Sequence, residues 1–205
     1  SDRLIVALDL ERDLALDLAK SLDPNNCRLK VGSQLFTSAG PRVIEQLSTL
    51  GFDIFLDLKF HDIPNTVAQS VKAASNLGVW MLNVHASGGS IMMKAAKEAT
   101  AGLVDPPLII GVTMLTSLSE KDVNEVGIQD ISNQVVSLAS LAKKNSLDGI
   151  VCSANEVGSI KELLGKDFLT VTPGIRSSDS SKDDQSRVST ARNAIENGSD
   201  YIVIG

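Results

Sequence analysis

In the run Phe55–Thr66 (FLDLKFHDIPNT) a lysine, Lys59, stands between two carboxylates, Asp57 and Asp62, at the end of an apolar segment of strand character. Side chains two apart on a strand share a face, so Asp57 and Lys59 point the same way, while Asp62 falls in the loop ahead of Pro64. Charge at a buried strand end is costly unless it is mutually paired. Opposite charge on either side favours the ammonium form of a lysine, which makes such a residue a proton donor rather than a Schiff-base nucleophile. Taken alone, D-x-K-x-x-D also describes a strand-end salt bridge with no chemistry attached.

Other reactive groups are sparse. The two histidines, His61 and His85, are too few for most zinc sites, and no Cys or His pair has ligand spacing, so no metal is expected. Neither a G-x-S-x-G nucleophile turn nor a P-loop occurs, which leaves lysine and aspartate as the concentrated reactive types.

The elements that must position them alternate in character. Short runs rich in Val, Ile and Leu read as strands at Leu4–Asp9, Arg28–Gly32, Ile54–Lys59, Val79–His85, Leu108–Thr113, Gly149–Cys152, Leu169–Pro173 and Tyr201–Gly205. Stretches of helical period lie between them, around Leu14–Leu22, Gly40–Leu50, Thr66–Leu77, Ser90–Ala99, Ser132–Asn145, Glu156–Leu164 and Val188–Asn197. Eight strands with crossover helices predict an α/β protein of the (β/α)₈ TIM-barrel type, a single catalytic domain over residues 1–205. A doubly wound open sheet is the structural alternative. Against it, Asp9-Leu10-Glu11 follows the first strand where a dinucleotide-binding fold would place its glycine-rich turn.

In a barrel the chemistry sits at the C-terminal ends of the strands. Those ends carry Asp9, Lys30, Asp57 with Lys59, His85, Thr113 with Thr116, and Thr172 with Arg176. Singly, Asp9, Lys30 or His85 could cap a helix or satisfy a core hydrogen bond; together they describe a polar pocket. The most polar stretch, Ser177–Gln185, follows strand seven and reads either as a lid or as a solvated loop.

Composition narrows the class. With 205 residues and 43% apolar content the chain can bury a sizeable core, and a net charge of -6 argues against a nucleic-acid surface. Cys27 and Cys152 sit far apart in apolar runs, so no disulfide scaffold is implied. No apolar run approaches the roughly 20 residues that span a bilayer, and the first residues show no signal-peptide core, so a cytoplasmic protein without a membrane partner is expected.

The segment Asp57–Thr66 (DLKFHDIPNT) closely resembles the signature of the orotidine 5′-phosphate decarboxylases, which make UMP from OMP. The likeness runs from end to end and in order: LIVALD at Leu4–Asp9, Arg28–Gly32 with Phe36-Thr37, NVHASGG at Asn83–Gly89, GVTMLTS at Gly111–Ser117, TPGIR at Thr172–Arg176 and YIVIG at Tyr201–Gly205. The short D-x-K-x-x-D element is shared with 3-keto-gulonate-6-phosphate decarboxylases and hexulose-phosphate synthases, whereas His61–Thr66 points to the orotidine branch.

That resemblance implies a cofactor-free decarboxylase of de novo pyrimidine biosynthesis acting as a homodimer. Lys59 would protonate C6 of the pyrimidine, with Asp57 beside it and Lys30 completing the charged row. Asp62 and Thr66 would reach into the partner's site. Asp9 would bind ribose hydroxyls and Thr116 or Ser117 the pyrimidine edge. Pro173, Arg176, Gln185 and Gly205 would surround the phosphate and lid. The same likeness implies a phosphate-gripping arginine directly after Gly205 and a last barrel helix beyond it, so a natural tail is expected to follow the final residue. The alternatives left open are the sugar-phosphate relatives, which usually need Mg²⁺, and a non-catalytic nucleotide-binding barrel.

Overall fold

The computed structural model describes residues 2–175 and 189–205. Arg176, Gln185 and the expected lid lie outside the described residues.

Eight parallel strands close on themselves in sequence order: β1 (Leu4–Ala7), β2 (Arg28–Gly32), β3 (Ile54–Phe60), β4 (Met81–His85), β5 (Leu108–Val112), β6 (Gly149–Val151), β7 (Leu169–Thr172) and β8 (Tyr201–Ile204), with β8 pairing back onto β1. The expected (β/α)₈ barrel is therefore the observed fold. Parallel strands are covered on both faces, which is why they read as continuous apolar runs rather than as alternating ones. One face fills the barrel with Ile5, Ala7, Phe55, Met81, Ile110, Val171 and Val203. The other face, including Leu29, Leu56, Leu82, Ile109 and Ile150, packs beneath the helices.

The described helices are α1 (Arg12–Ser21), α2 (Ser33–Ala39), α3 (Arg42–Thr49), α4 (Pro64–Ser75), α5 (Gly89–Glu98), α6 (Glu120–Glu125), α7 (Ile131–Lys144), α8 (Ala154–Leu164) and α9 (Ala191–Glu196), with a 3₁₀ turn at Ala86–Gly88. Amphipathic stripes such as Val43, Ile44 and Leu47 on α3 or Val135, Leu138, Ala139 and Ala142 on α7 turn inward. Pro64 opens α4, where its missing N–H costs nothing. The short helices α2 and α6 and the 3₁₀ turn were not expected from the sequence. At seven, six and three residues they are too brief to display a helical period.

The N-terminal end of the barrel is plugged. The Arg28 guanidinium lies 4.3 Å from the Trp80 ring centre and 5.5 Å from that of Tyr201, the two rings meet edge-on at 5.1 Å, and Arg28 Nε ion-pairs with Asp53 at 3.2 Å. Two aspartates pin the same end. Asp148, ahead of β6, accepts the Ile109 N–H and pairs with Lys97 of α5; Asp200, ahead of β8, accepts the Thr170 N–H and pairs with Lys161 of α8. With that end closed and pinned, the opposite end is where a ligand can enter. Among the described residues no helix is long and apolar enough to cross a membrane.

Candidate active site

Strand β3 does not run straight through its charged residues. Leu56 pairs with Leu82 and Phe60 with Val84, so Asp57, Leu58 and Lys59 face Asn83 alone in a bulge. Lys59 takes φ 51°, a left-handed conformation that costs a side-chain-bearing residue about 1–2 kcal/mol. The bulge also removes the Lys59 N–H from the strand ladder, and Asn83 Oδ1 accepts it at 2.8 Å.

The side chains form an alternating row. Asp57 Oδ1 receives Lys59 Nζ at 2.7 Å and Asn83 Nδ2 at 2.7 Å, and its Oδ2 lies 3.3 Å from Lys30 Nζ. Lys30 Nζ in turn lies 3.2 Å from Asp9 Oδ1. Burial by itself pushes the Asp57 carboxyl up, but Lys30, Lys59 and the two hydrogen bonds outweigh it and hold the group below the ordinary carboxylate range. Gly32 leaves room for this row, since a Cβ there would stand 3.2 Å from Asp9 Oδ1 and 3.3 Å from Lys30 Nζ.

The row lines a cavity of about 840 Å³ at the C-terminal ends of the strands, a volume suited to a nucleotide-sized ligand. Its apolar wall comes from Phe55, Val112, Val151, Val171 and Val203, and its rim from Thr116, Ser117, Pro173, Gly174 and Gly205. The cavity thus brings together Asp9, Lys30, Asp57, Lys59, Thr116, Ser117, Pro173 and Gly205 from separate strands and loops.

Other expected residues lie elsewhere. Asp62 and Thr66 are exposed, outside the cavity of their own chain, and the Asp62 carboxylate accepts the Ile63 N–H at 2.6 Å. Thr113 and Thr172 are buried and turned away from the cavity: Thr113 donates to the Val151 carbonyl and Thr172 shares a hydrogen bond with Ser199. His85 is half-buried beside His61, with ring centres 5.3 Å apart, and burial first, then His61 and Lys59, lower its pKa against the opposing pull of Asp57. Among the described residues no group of three or more His, Cys, Asp or Glu is placed to hold a metal ion.

Asn83 is the site residue that sequence reasoning passed over. Its signal was a single amide between Leu82 and Val84 at an inward position of β4 (MLNVH).

The chain matches the family model described as "Orotidine 5'-phosphate decarboxylase / HUMPS family" over residues 2–205. It belongs to that family. A relative from Teredinibacter turnerae named orotidine 5′-phosphate decarboxylase is 56% identical over 99% of this chain and 88% of its own. Another of the same name, from Saccharophagus degradans, is 54% identical over 99% of this chain and 86% of its own. Among solved structures, orotidine 5′-phosphate decarboxylase from Lactobacillus acidophilus superposes with a TM-score of 0.85 at 43% identity, covering 100% of this chain and 90% of that one. As in other (β/α)₈ proteins, the candidate site of this family member sits at the open end of the barrel, where the cavity is.

Proposed function

We infer that the chain is an orotidine 5′-phosphate decarboxylase, converting OMP to UMP and CO₂, with residues 1–205 acting as one catalytic domain. The observation that carries the reading is the Asp9–Lys30–Asp57–Lys59 row on the cavity of a chain from this family. In the reaction the bond from C6 to the carboxylate breaks, CO₂ departs, and the electron pair left on C6 takes a proton from the Lys59 ammonium, which water later replaces. That pair occupies an in-plane orbital the ring delocalises poorly. A cation fixed beside C6 therefore interacts more strongly with the transition state than with the neutral ring, which is the difference that accelerates reaction.

Asp57 fixes the lysine within this chain. Its charge near the departing carboxylate also disfavours bound substrate, a smaller contribution than stabilisation of the developing carbanion. Asp9 is proposed for the ribose hydroxyls, Thr116 or Ser117 for the pyrimidine edge, and Pro173, Arg176, Gln185 and Gly205 for the phosphate and lid.

The protein is proposed to act as a homodimer, with Asp62 and Thr66 serving the partner's cavity. Their exposure supports this, as does Ile63 between them, which leaves 67% of its surface open. A cytoplasmic setting goes with the reading, both cysteines being buried and outside any disulfide.

The test is the fall in ultraviolet absorbance of OMP on conversion to UMP, in EDTA, for wild type and Lys59→Ala together. Wild type should turn over and the variant should lose at least about 10³-fold in kcat. Retained turnover by the variant would sink the proton-donor role. No turnover by either folded protein would move the reading to the sugar-phosphate relatives or to a binding barrel.

A further inference from the structure

We propose that Asn83 is a positioning residue for the Lys59 ammonium: its amide clamps the backbone of Lys59 and the carboxylate of Asp57 at once, so that the bulge and the charged row form one rigid unit. The inference rests on the reaction proposed above and extends it to a residue that touches neither the cavity nor substrate.

Three features of the geometry support it. Asn83 Oδ1 faces an N–H and Nδ2 faces a carboxylate oxygen, so both ends of the amide are matched and its orientation is fixed by its partners. The side chain is 1% exposed, which leaves no solvent to replace either bond. The N–H it accepts belongs to the left-handed residue of the bulge, the point where the backbone has no ladder partner and would otherwise relax.

Residue chemistry restricts the position. Leucine has similar bulk but neither hydrogen-bonding group. Aspartate keeps an acceptor for the Lys59 N–H but sets a second carboxylate against Asp57 at the 2.7 Å now spanned by a hydrogen bond. Two carboxylates that close repel one another when both are ionised and distort the row, and taking up one shared proton returns the pair to the single negative charge that Asp57 supplies in wild type. The Lys59 ammonium would still be present in either variant, displaced from the place where it meets C6.

The experiment compares wild type, Asn83→Leu and Asn83→Asp by kcat and KM for OMP across pH, and by hydrogen exchange at the Lys59 amide. Asn83→Leu should lower kcat by about 10²-fold, with KM within about threefold, since displacement of a reacting group by about 1 Å costs that much. Asn83→Asp should show an acid limb absent from wild type, with kcat rising as pH falls and the shared proton is taken up. The Lys59 amide should exchange at least about tenfold faster in Asn83→Leu, as an N–H without its acceptor. A kcat within about threefold of wild type in folded Asn83→Leu, or a pH profile of Asn83→Asp parallel to wild type, overturns the proposal. If Asn83→Leu does not fold, the isosteric Asn83→Asp decides. If wild type itself fails to decarboxylate OMP, the reaction is wrong, and Lys59 amide exchange decides the positioning role separately: unchanged exchange in folded Asn83→Leu, or in Asn83→Ala where the leucine variant does not fold, would end it.

Discussion

Lys30 Nζ stands 3.3 Å from Asp57 Oδ2, and each side chain keeps only about a tenth of its surface open, so this ion pair is the buried hinge of the charged row. Removing one member of such a pair leaves an uncompensated charge and typically costs about 3–5 kcal/mol. Lys30→Met should therefore destabilise the protein by several kcal/mol in urea titration and also lift the pKa of Asp57, which loses the largest of the influences now holding it down. Lys30→Met combined with Asp57→Asn should recover part of that stability and none of the activity. Equal stability of Lys30→Met and wild type would show that the pair contributes nothing to the fold.

The backbone of Lys59 makes a separate prediction. At φ 51° a Cβ is strained and glycine is not, although glycine gives up more chain entropy on folding. Both Lys59→Ala and Lys59→Gly remove the ammonium, so both should be inactive, but Lys59→Gly should be the more stable by roughly 0.5–1 kcal/mol. The opposite order would mean that the left-handed bulge is not kept in the variants.

Much of this was legible in the residues, for physical reasons that also explain the omissions. Strands buried on both faces announce themselves as apolar runs, so all eight were found to within a residue or two at most of their ends. Asp57 and Lys59 were correctly placed on one face, although the contact is made through a bulge rather than along a regular strand. That bulge has no signature in composition, and Asn83, which answers it, is one polar residue among apolar neighbours. Thr113 and Thr172 were read into the pocket because they stand at strand ends. Alternation decides otherwise: their neighbours Val112 and Val171 face the cavity, and the threonines face the other way.

Acid should weaken the fold in two stages. His85 titrates below its ordinary value of 6.5 in the folded chain, so between that value and its folded one the unfolded chain binds more protons, and stability falls as pH drops from about 6.5. Asp57 is held below 3.8, so its contribution is complete above that pH and is lost as pH falls further, through its folded value. Urea midpoints measured against pH should decline in the upper stage for wild type and much less for His85→Asn. Identical slopes for the two between pH 7 and 5 would remove His85 from the account.

Shared sites have a distinctive genetic signature. If Asp62 serves the partner's cavity, Lys59→Ala and Asp62→Ala homodimers should each be inactive, yet a hybrid of the two holds one site with both groups intact. Random reassortment of equal amounts should then restore about a quarter of wild-type activity, half the dimers being hybrids with one working site each. Mixing after cross-linking within each homodimer should restore none. A mixture that stays inactive while subunits demonstrably exchange would confine Asp62 to its own chain.

The closed end of the barrel supplies the control for all of these substitutions. Asp200 accepts the Thr170 N–H at 2.7 Å and pairs with Lys161 at 2.6 Å, tying β7, β8 and α8 together at the end away from the cavity. Hydrogen bonds to a charged group of this kind contribute about 1.5–3 kcal/mol, and polar residues at that end of a barrel serve stability rather than chemistry. Asp200→Ala should therefore lower the urea midpoint by an amount comparable to a site variant, while kcat and KM for OMP stay within about twofold of wild type at a temperature where the variant is folded. Loss of kcat in folded Asp200→Ala would mean that the two ends of the barrel are coupled, and that activity lost in Lys30 or Asn83 variants could reflect the fold as a whole.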